Sequence, residues 1–428
     1  MSGKIANITA AEFENEVLKG KNVVVDFYST ECPPCEALAS KYEGLSEIYG
    51  DDIKFIKIFR QENKELAVSL GVSSSPTLLF YKDGQMVGER LSGGIKRADI
   101  VKNFELILDS ERAEELKKSA KSSETECDVL ILGAGPAGLT AGIYSAQAKL
   151  NTIIVDKDLP GGQVKVTHMV SNFPGFEEPI SGYMLMHHMS EQAKGAGVNF
   201  RSAVDVTKID LVNKIVEVDG VESIKARKII IATGSSPRNL GVKGEVENKG
   251  RGISYCATCD AKFYEGKHVI VIGGGNSAIE EALFITKFAS KVTIVHQFDK
   301  LQANKIAQEK AFANPKIEFV FEHEPREFRR NGNSVNEVVV EDLKTKALKT
   351  LSCDGVFIFA GMKPNLDEFI GDLKLDNWGY VSVDPAMKTN LDDIFAVGDV
   401  AGKRYRQITT AVADGTIAAI TVSKELED

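Results

Sequence analysis

The sequence predicts an α/β protein in which a small dithiol domain precedes two nucleotide-binding folds with parallel sheets. Three features lead to this prediction: a strand-like run that ends in a CxxC pair, and two glycine-rich loops, each placed between an apolar strand and a helix. With 428 residues, the chain has room for roughly three domains of about 150 residues each.

Composition argues against several classes of function. The formal net charge is −9 and the basic residues are dispersed, so neither a nucleic acid nor a membrane surface is an expected partner. No apolar run reaches the roughly 20 residues of a membrane span. Residues 1–4 lead into no hydrophobic signal segment. The expected location is therefore the cytoplasm.

Four of the six cysteines form two CxxC pairs, Cys32 with Cys35 and Cys256 with Cys259. In a reducing compartment such pairs are more often redox-active or metal-binding than structural. A zinc ribbon usually separates its two hooks by about 15 to 20 residues, whereas these pairs lie far apart in different contexts. We therefore expect no metal site and a redox role. Cys127 and Cys353 are expected to be buried structural thiols.

The first CxxC pair lies at a predicted junction between a strand and a helix. Residues 23–28 are β-branched and aromatic, and Pro33 opens a helical stretch. Because a helix N-terminus stabilises anions, Cys32 is predicted to be the nucleophile and Cys35 the resolving thiol. Asp26 interrupts the apolar strand, and it is either a surface carboxylate or a buried proton acceptor near Cys35.

The first glycine loop has the full pattern of a dinucleotide site. An apolar strand at 128–132 runs into a GxGxxG loop that starts at Gly133, followed by an alanine-rich helix and a strand that ends at Asp156. The loop brings a pyrophosphate to the helix N-terminus, and the acid can bind a ribose hydroxyl. The order of these elements makes the motif specific.

A second loop repeats the pattern with one difference. A strand at 268–272 leads into a loop that starts at Gly273, and the position equivalent to Asp156 is His296, followed by Gln297. Two such sites imply two bound dinucleotides. The second site has neither an acid for a ribose 2′-hydroxyl nor an arginine pair for a 2′-phosphate, so the choice of coenzyme is open.

Residues 1–108 resemble thioredoxin. The resemblance rests on the CxxC pair and on short matching stretches: Val25-Asp26-Phe27, Gly71-Val72, Ser75-Pro76-Thr77 and Gly93. It implies a thioredoxin fold in which Pro76 is cis and faces the dithiol. Glu31 and Pro33 stand where thioredoxins usually carry Trp and Gly around the first cysteine. The first departure removes an apolar docking surface, and the second stiffens the disulfide ring.

Residues 127–428 resemble low-molecular-weight thioredoxin reductase, a flavoprotein with two Rossmann-like domains. The resemblance implies an FAD-binding domain at 127–240 that continues at 366–428, with an NAD(P)H-binding and redox-dithiol domain inserted at 241–365. Residues 109–126 would link this reductase to the thioredoxin-like domain. We expect that linker to be a frayed helix running into a flexible connector with about ten unstructured residues. Matching stretches are Gly133-x-Gly135-Pro136-Ala137-Gly138, Gly161-Gly162-Gln163, Asn172-Phe173-Pro174-Gly175, Ile231-Ala232-Thr233-Gly234, Cys256-Ala257-Thr258-Cys259-Asp260, Gly273-x-Gly275-Asn276-Ser277-Ala278, Ile394-Phe395-Ala396-Val397-Gly398-Asp399, Arg406-Gln407-Ile408 and Asp414-Gly415.

The resemblance also implies roles for individual residues. Cys259 is the thiol nearest the flavin, Cys256 attacks the thioredoxin disulfide, and Asp260 supplies a proton to the leaving thiolate; a helix cap is the alternative for Asp260. The implied nicotinamide contacts are Gly273, Gly275, Asn276, Ser277, Ala278, His296 and Gln297. The implied FAD contacts are Gly133, Gly135, Pro136, Ala137, Gly138, Asp156, Gly162, Gln163, Asn172, Ala232, Thr233, Gly234, Gly398, Asp399, Arg406, Gln407 and Ile408.

The expected function is therefore an NAD(P)H-dependent thioredoxin-disulfide reductase with its own thioredoxin. NADPH enzymes of this family carry arginines where Gln297, Phe298 and Gln302 stand, so NADPH and NADH stay open. A ferredoxin-type donor is disfavoured by the intact second loop. Client disulfide proteins and a homodimer are the expected partners. The alternatives are a peroxiredoxin (alkyl hydroperoxide) reductase, whose front end has two thioredoxin folds, and an N-terminal domain that only docks partners.

Overall fold

The computed structural model describes residues 5–119, 122–167, 169–170, 172–332, 334–366 and 373–427, with the side chains of residues 258 and 259 left aside. Their contacts divide the chain into two compact units. The first contains Met1–Val164, Leu185–Gly234 and Leu366–Asp428, and the second contains Lys165–Met184 and Ser235–Asn365. Within the described ranges, no helix combines the length and the apolar character needed to cross a membrane.

The first unit begins with a mixed sheet whose strand order is β1-β3-β2-β4-β5. Alternation along β2 sends Val24 to one face of the sheet and Val23 and Val25 to the other, and each face carries its own apolar core. The strands are β1 Ile5–Asn7, β2 Asn22–Tyr28, β3 Lys54–Phe59, β4 Thr77–Lys82 and β5 Gln85–Ser92, and the α-helices are α1 Pro33–Tyr49, α2 Lys64–Ser69, α3 Arg97–Ile107 and α4 Ser110–Ser119.

The segment predicted as a flexible connector is largely ordered. Ala113 and Leu116 of α4 are buried in the core that α1 and α3 cover, because two apolar residues three apart suffice to give this charged helix an inward face. The next strand already begins at Ser123, where it pairs with Glu222. The expectation of about ten unstructured residues is therefore wrong, since helix and strand cover most of 109–126.

A second sheet of the first unit belongs to the predicted FAD-binding domain, residues 127–240 and 366–428, which is called the flavin-type domain below. Its strand order is β8-β7-β6-β11-β10-β9. Strands β8, β7, β6 and β11 are parallel, and β10 and β9 are added antiparallel at one edge. Parallel strands joined through helices are typical of nucleotide-binding folds. The elements are β6 Ser123–Leu132, α5 Pro136–Gln147, β7 Thr152–Asp156, α6 Gly182–Ala196, β8 Asn199–Ser202, β9 Val206–Asp210, β10 Ile215–Val218 and β11 Glu222–Ile231.

The second unit contains a parallel sheet of order β13-β20-β14-β15-β16 and an antiparallel sheet β17-β18-β19. Apolar cores lie on both faces of the parallel sheet. The strands are β12 Ser235–Pro237, β13 Ile253–Ser254, β14 His268–Ile272, β15 Lys291–His296, β16 Ile317–Phe321, β17 His323–Asn331, β18 Ser334–Asp342, β19 Leu348–Ser352, β20 Gly355–Ile358 and β21 Met362–Pro364, and the helices are α7 Ala257–Asp260, α8 Asn276–Ile285 and α9 Lys305–Phe312.

The C-terminal residues complete the first unit. Strand β22, Ile394–Ala396, pairs in parallel with β11, and helix α10, Ile408–Glu427, packs on α5. Gly415 permits this packing, because a Cβ there would lie 2.2 Å from the carbonyl oxygen of Ala137. The two glycine loops thus follow β6 and β14, at the carboxyl edges of two separate parallel sheets, which is where such folds bind their ligands.

Candidate active site

The first dithiol lies where β2 is followed by α1. Pro33 is the first residue of α1, and Cys32 is its N-cap residue in an extended conformation. Cys32 and Cys35 are joined by a disulfide with Cα atoms 5.2 Å apart, and the Cys35 amide donates a 3.3 Å hydrogen bond to Sγ of Cys32. Because this amide and the helix N-terminus both favour negative charge, Cys32 is the better stabilised thiolate after reduction.

The segment around Pro76 lies beside this disulfide. The Ser75–Pro76 peptide bond is cis, as the resemblance to thioredoxin implies, and the carbonyl oxygen of Ser75 lies 3.4 Å from Sγ of Cys32. Nε of Arg60 donates a 2.8 Å hydrogen bond to Oγ of Ser75. This backbone is therefore positioned to pair with an extended partner segment whose disulfide reaches Cys32.

Asp26 is a buried carboxyl group on β2. Its side chain is only 3% exposed, and Oδ1 has no hydrogen-bond partner among the described residues. Burial raises the pKa of Asp26 to about 7, although Lys57 acts in the opposite direction. Asp26 is therefore buried and the surface alternative is wrong, whereas its role as a proton acceptor near Cys35 stays a prediction. No sequence pattern pointed to Ser29, whose Oγ lies 3.9 Å from Sγ of Cys35.

The glycine loop after β6 forms a tight cradle. Gly133 has φ +110°, and a Cβ at this position would lie 2.4 Å from the carbonyl oxygen of Ala232. At Gly138 a Cβ would lie 1.9 Å from the carbonyl oxygen of Gly133. Both positions therefore require glycine, which lets loop amides approach a pyrophosphate. Oδ2 of Asp156 accepts a 2.6 Å hydrogen bond from the Ala134 amide, so the predicted ribose acid lies against the loop.

Other predicted FAD residues converge on this cradle. A Cβ at Gly162 would lie 3.2 Å from Cα of Gly135, and one at Gly398 would lie 2.8 Å from Cβ of Ala137. Pro136 opens α5, Gln163 lies in the 3-10 turn Gly162–Val166, and Ala232, Thr233 and Gly234 directly follow β11. Asn172 falls in the second compact unit, and its contact with FAD stays a prediction.

Two charged side chains near the end of β22 have buried atoms without hydrogen-bond partners among the described residues: Oδ1 of Asp399 and Nε of Arg406. Burial raises the pKa of Asp399, and Lys403 and Arg406 oppose this rise. The guanidinium carbon of Arg406 lies 3.7 Å from the ring centroid of Tyr380. Buried polar groups of this kind need a polar ligand, and the ribityl hydroxyls and ring carbonyls of FAD fit that need.

The start of α10 completes the predicted FAD residues. Gln407 immediately precedes the helix, which begins at Ile408, and its amide donates a 3.0 Å hydrogen bond to Oγ1 of Thr410. Two residues outside the predicted set also belong to this region, since Asp414 accepts a 2.9 Å hydrogen bond from the Gly398 amide and forms an ion pair with Lys403. Asp414 thereby holds the turn that carries Asp399.

The imidazole ring of His296 packs on the second glycine loop. A Cβ at Gly274 would lie 2.5–2.6 Å from three ring atoms of His296, so the ring packs directly on that glycine. His296 is 5% exposed, and its Nε2 has no hydrogen-bond partner among the described residues. Burial lowers the pKa of His296, so the ring is neutral at pH 7 and offers no positive charge to a phosphate.

Other predicted nicotinamide residues surround this loop. Gly273 has φ +135°, Gly275 is the N-cap residue of α8, and Ser277 and Ala278 lie in its first turn. Oδ1 of Asn276 accepts hydrogen bonds of 2.7 and 3.0 Å from the amide and the side chain of Asn304. Asn276 therefore ties the loop to the start of α9, and its contact with a nucleotide stays a prediction, as does that of the exposed Gln297.

The second dithiol is at α7 in the second unit. Cys256 immediately precedes α7 and is disulfide-bonded, and its amide donates a 3.1 Å hydrogen bond to Oγ of Ser254. The side chain of Cys259 lies outside the part that the structure describes, so the Cys256–Cys259 pairing stays a prediction. Asp260 is the N-cap residue of the following 3-10 turn, Ala261–Tyr264, but its side chain makes no capping bond there. The helix-cap alternative therefore holds for its position only, and its role as a proton donor stays a prediction.

The remaining two cysteines are free and buried, as predicted. Burial raises the pKa of Cys127 and that of Cys353 to about 12. A thiol with such a pKa is almost entirely protonated at neutral pH and is a poor nucleophile. Both thiols are therefore poor candidates for disulfide exchange.

Comparison with known proteins accounts for both parts of the chain. Residues 127–415 match the profile of the family described as pyridine nucleotide-disulphide oxidoreductase, and residues 4–105 match that of thioredoxin. The chain is 42% identical over 308 residues to thioredoxin reductase of Bacillus subtilis (strain 168), covering 72% of this chain and 97% of that protein. It is 44% identical over 303 residues to a "34.2 kDa protein in rubredoxin operon" of Clostridium pasteurianum, covering 70% and 97%.

Solved structures agree with these relatives. The crystal structure of Lactococcus lactis thioredoxin reductase (FR conformation) is similar with a TM-score of 0.66 and 40% identity, covering 70% of this chain and 98% of that chain. Thioredoxin reductase of T. acidophilum is similar with a TM-score of 0.66 and 32% identity, covering 71% and 99%.

Two dinucleotide folds and a disulfide-bonded cysteine in one chain define a class of oxidoreductases that move electrons between a nucleotide and a disulfide. The chain belongs to the pyridine nucleotide-disulphide oxidoreductase family and, within it, to the thioredoxin reductases, with a thioredoxin domain fused in the same chain. This family implies FAD and a pyridine nucleotide as cofactors, and disulfide-containing proteins as partners.

The substitution Asp26→Asn is expected to stabilise the thioredoxin domain at neutral pH. The pKa of Asp26 is about 7 in the folded protein and about 3.9 in an unfolded chain, so ionisation favours unfolding above about pH 4 and increasingly so up to pH 7. The asparagine variant should gain about 2–4 kcal/mol at pH 8 and under about 0.5 kcal/mol at pH 4. Hydrogen exchange of β2 and β3 amides in urea, measured in the full chain, reports this difference.

Glu62→Gln is the matched control, because it removes an exposed carboxylate from the same domain. It should change stability by less than about 0.5 kcal/mol at either pH. An equal gain for Asp26→Asn at pH 4 and pH 8 would contradict the buried, proton-holding role of this residue.

Proposed function

We propose that the chain transfers electrons from NADH or NADPH to client disulfides through its own two dithiols. One observation carries the proposal: the Cys32–Cys35 disulfide, beside a cis Ser75–Pro76 bond, belongs to the same chain as a disulfide-bonded Cys256 next to a nucleotide loop. FAD, when bound, would supply the two-electron step between a nicotinamide and a disulfide.

Transfer between the dithiols is two successive exchanges. The Cys256 thiolate attacks Sγ of Cys32, so the Cys32–Cys35 bond breaks, a Cys256–Cys32 disulfide forms and Cys35 leaves as a thiolate. Cys259 then attacks Cys256, which restores the Cys256–Cys259 disulfide and releases Cys32 as a thiolate. One disulfide is oxidised and one is reduced, so two electrons have moved.

Protons are handled by two carboxyl groups, that of Asp26 on β2 and that of Asp260, which directly follows Cys259 in the sequence. Cys35 takes a proton when it leaves, and the buried Asp26, with a pKa of about 7, holds one that it can give or accept at neutral pH. Asp260 has the corresponding role beside Cys256. The Cys32 thiolate, which the Cys35 amide stabilises, then attacks a client disulfide, and Cys35 resolves the mixed disulfide by giving up its proton.

Weak discrimination between NADH and NADPH follows from the second glycine loop. The last residue of β15, which would select the ribose, is a neutral, buried imidazole packed on Gly274. Phe298 lies edge-on against His296 at 5.3 Å between ring centroids. An aromatic pair provides neither a carboxylate for the 2′-hydroxyl of NADH nor a guanidinium for the 2′-phosphate of NADPH.

A cysteine substitution tests the relay. Cys32→Ala should reduce insulin-disulfide reduction by at least about 1,000-fold, because the attacking sulfur is gone, while anaerobic bleaching of the bound flavin by NADH or NADPH is unchanged. The control Cys127→Ala removes a buried, unreactive thiol and should retain most of the activity. Retained insulin reduction in Cys32→Ala, together with retained capture of partner proteins, would instead support a domain that only docks partners.

Coenzyme preference can be tested by adding the missing guanidinium groups. The unmodified protein should accept NADH and NADPH with KM values within about ten-fold of each other. Neither coenzyme makes a charge-assisted contact that the other lacks. The double variant Gln297→Arg, Phe298→Arg should lower KM for NADPH by about 10- to 100-fold, as one or two charged hydrogen bonds would. KM for NADH should change little. A strong preference for NADPH before any substitution would contradict this account.

A further inference from the structure

One lysine of the thioredoxin domain is buried against the flavin-type domain. Lys41 lies on α1 and is 9% exposed. Its Nζ donates hydrogen bonds of 3.0 Å to the carbonyl oxygen of Ile95, 2.8 Å to that of Ser202 and 2.7 Å to that of Ala203. Ile95 belongs to the same domain as Lys41, whereas the other two carbonyls end β8. All three protons of the ammonium group are thus used, and two of them join the domains.

The backbone that receives Lys41 has an uncommon shape. Ala203 has φ +54°, a left-handed conformation that a non-glycine residue seldom adopts, and it presents two successive carbonyl oxygens to one ammonium group. The amide of Ala203 donates a 3.1 Å hydrogen bond to the carbonyl oxygen of Asp158, and that of Val204 donates a 3.3 Å bond to Asp156. The turn is therefore fixed to the strand end that carries the predicted ribose acid.

Charged pairs of complementary sign surround this contact. Nζ of Lys96 lies 2.6 Å from Oδ1 of Asp205, and Nζ of Lys194 lies 2.6 Å from Oε2 of Glu36. Asp219 adds negative charge beneath the turn, since its Oδ1 accepts a 2.7 Å hydrogen bond from the Asp205 amide. The two ion pairs are partly exposed and contribute little by themselves, so the buried Lys41 has the larger effect.

We propose that the turn at 202–205, the docking turn, is a binding site for the thioredoxin domain of the same chain, with Lys41 as its anchor. The site holds the dithiol domain in a defined position on the flavin-type domain. A short connection supports the proposal, because α4 ends at Ser119 and β6 begins at Ser123. About four residue steps of extended chain span only roughly 14 Å, which limits how far the thioredoxin domain can move away.

Protonation is consistent with this contact at neutral pH. Burial lowers the pKa of Lys41 to about 8, against the attraction of Asp219 and Asp205 and together with repulsion from Lys96. At pH 7 the group is therefore mainly an ammonium ion, the form that offers three donors to three carbonyls.

An engineered disulfide tests the docked position directly. A Cβ at Gly94 would lie 3.6 Å from Cβ of Ala203, within the roughly 3.5–4.5 Å that a disulfide requires. The full-length protein would carry Gly94→Cys and Ala203→Cys, with the four CxxC cysteines replaced by serine. Cys127 and Cys353 remain, since both are buried and unreactive. Peptide mapping after dilute oxidation measures the fraction of chains with the new cross-link, independently of any electron relay.

More than about half of the chains should cross-link, because the two cysteines are held at bonding distance. Lys41→Met keeps the length of the side chain but removes the donors, and it should lower the initial cross-linking rate by at least about five-fold. Lys102→Met is the matched control, since Lys102 is exposed on α3 of the same domain, and its rate should not change.

Asp205→Lys approaches the same contact from the flavin-type domain, which separates docking from any folding defect of α1. Its repulsion from Lys96 and Lys41 should slow cross-linking by at least about three-fold. Absence of the cross-link in the parent protein, or equal rates in the parent, Lys41→Met and Asp205→Lys, would overturn the proposal.

Discussion

Disulfide exchange happens only at contact, because the attacking sulfur must come within bonding distance of the sulfur that it attacks. The thioredoxin domain is built around this constraint: Cys32 caps α1, and the Ser75 carbonyl lies 3.4 Å from its sulfur. Fusing this domain to a reductase raises the local concentration of its disulfide. Under the proposal above, the contact of Lys41 with the docking turn also fixes the position of the thioredoxin domain, which a freely flexible tether would not do.

The two glycine loops show how one pattern serves two ligands. After β6, Asp156 accepts a hydrogen bond from the loop itself, and buried polar atoms of Asp399 and Arg406 have no described partner. After β14, the ring of His296 packs on Gly274 in place of an acid. We therefore expect the first site to hold a ribose and a flavin through these side chains, and the second to hold its nucleotide mainly through backbone and shape.

Local patterns in the sequence predicted the dithiol at the strand-to-helix junction and both glycine loops, because turn chemistry and helix starts depend on neighbouring residues. The cis bond before Pro76 was implied only by the resemblance to thioredoxin. The role of Lys41 could not be predicted, since a lysine on a helix ordinarily faces solvent and its acceptor Ser202 lies 161 residues further along the chain. The strand at Ser123 was also missed, because its polar residues are ordered only by pairing with β11.

The central claim is that both dithiols lie on one electron path through this chain. The most direct test is anaerobic addition of one equivalent of NADH or NADPH, followed by rapid acid quench, alkylation and mass spectrometry of each cysteine pair. The account predicts that thiols appear at Cys256 and Cys259 first and then decline as Cys32 and Cys35 become alkylated. Full reduction of Cys256 and Cys259 while Cys32 and Cys35 stay oxidised would contradict it.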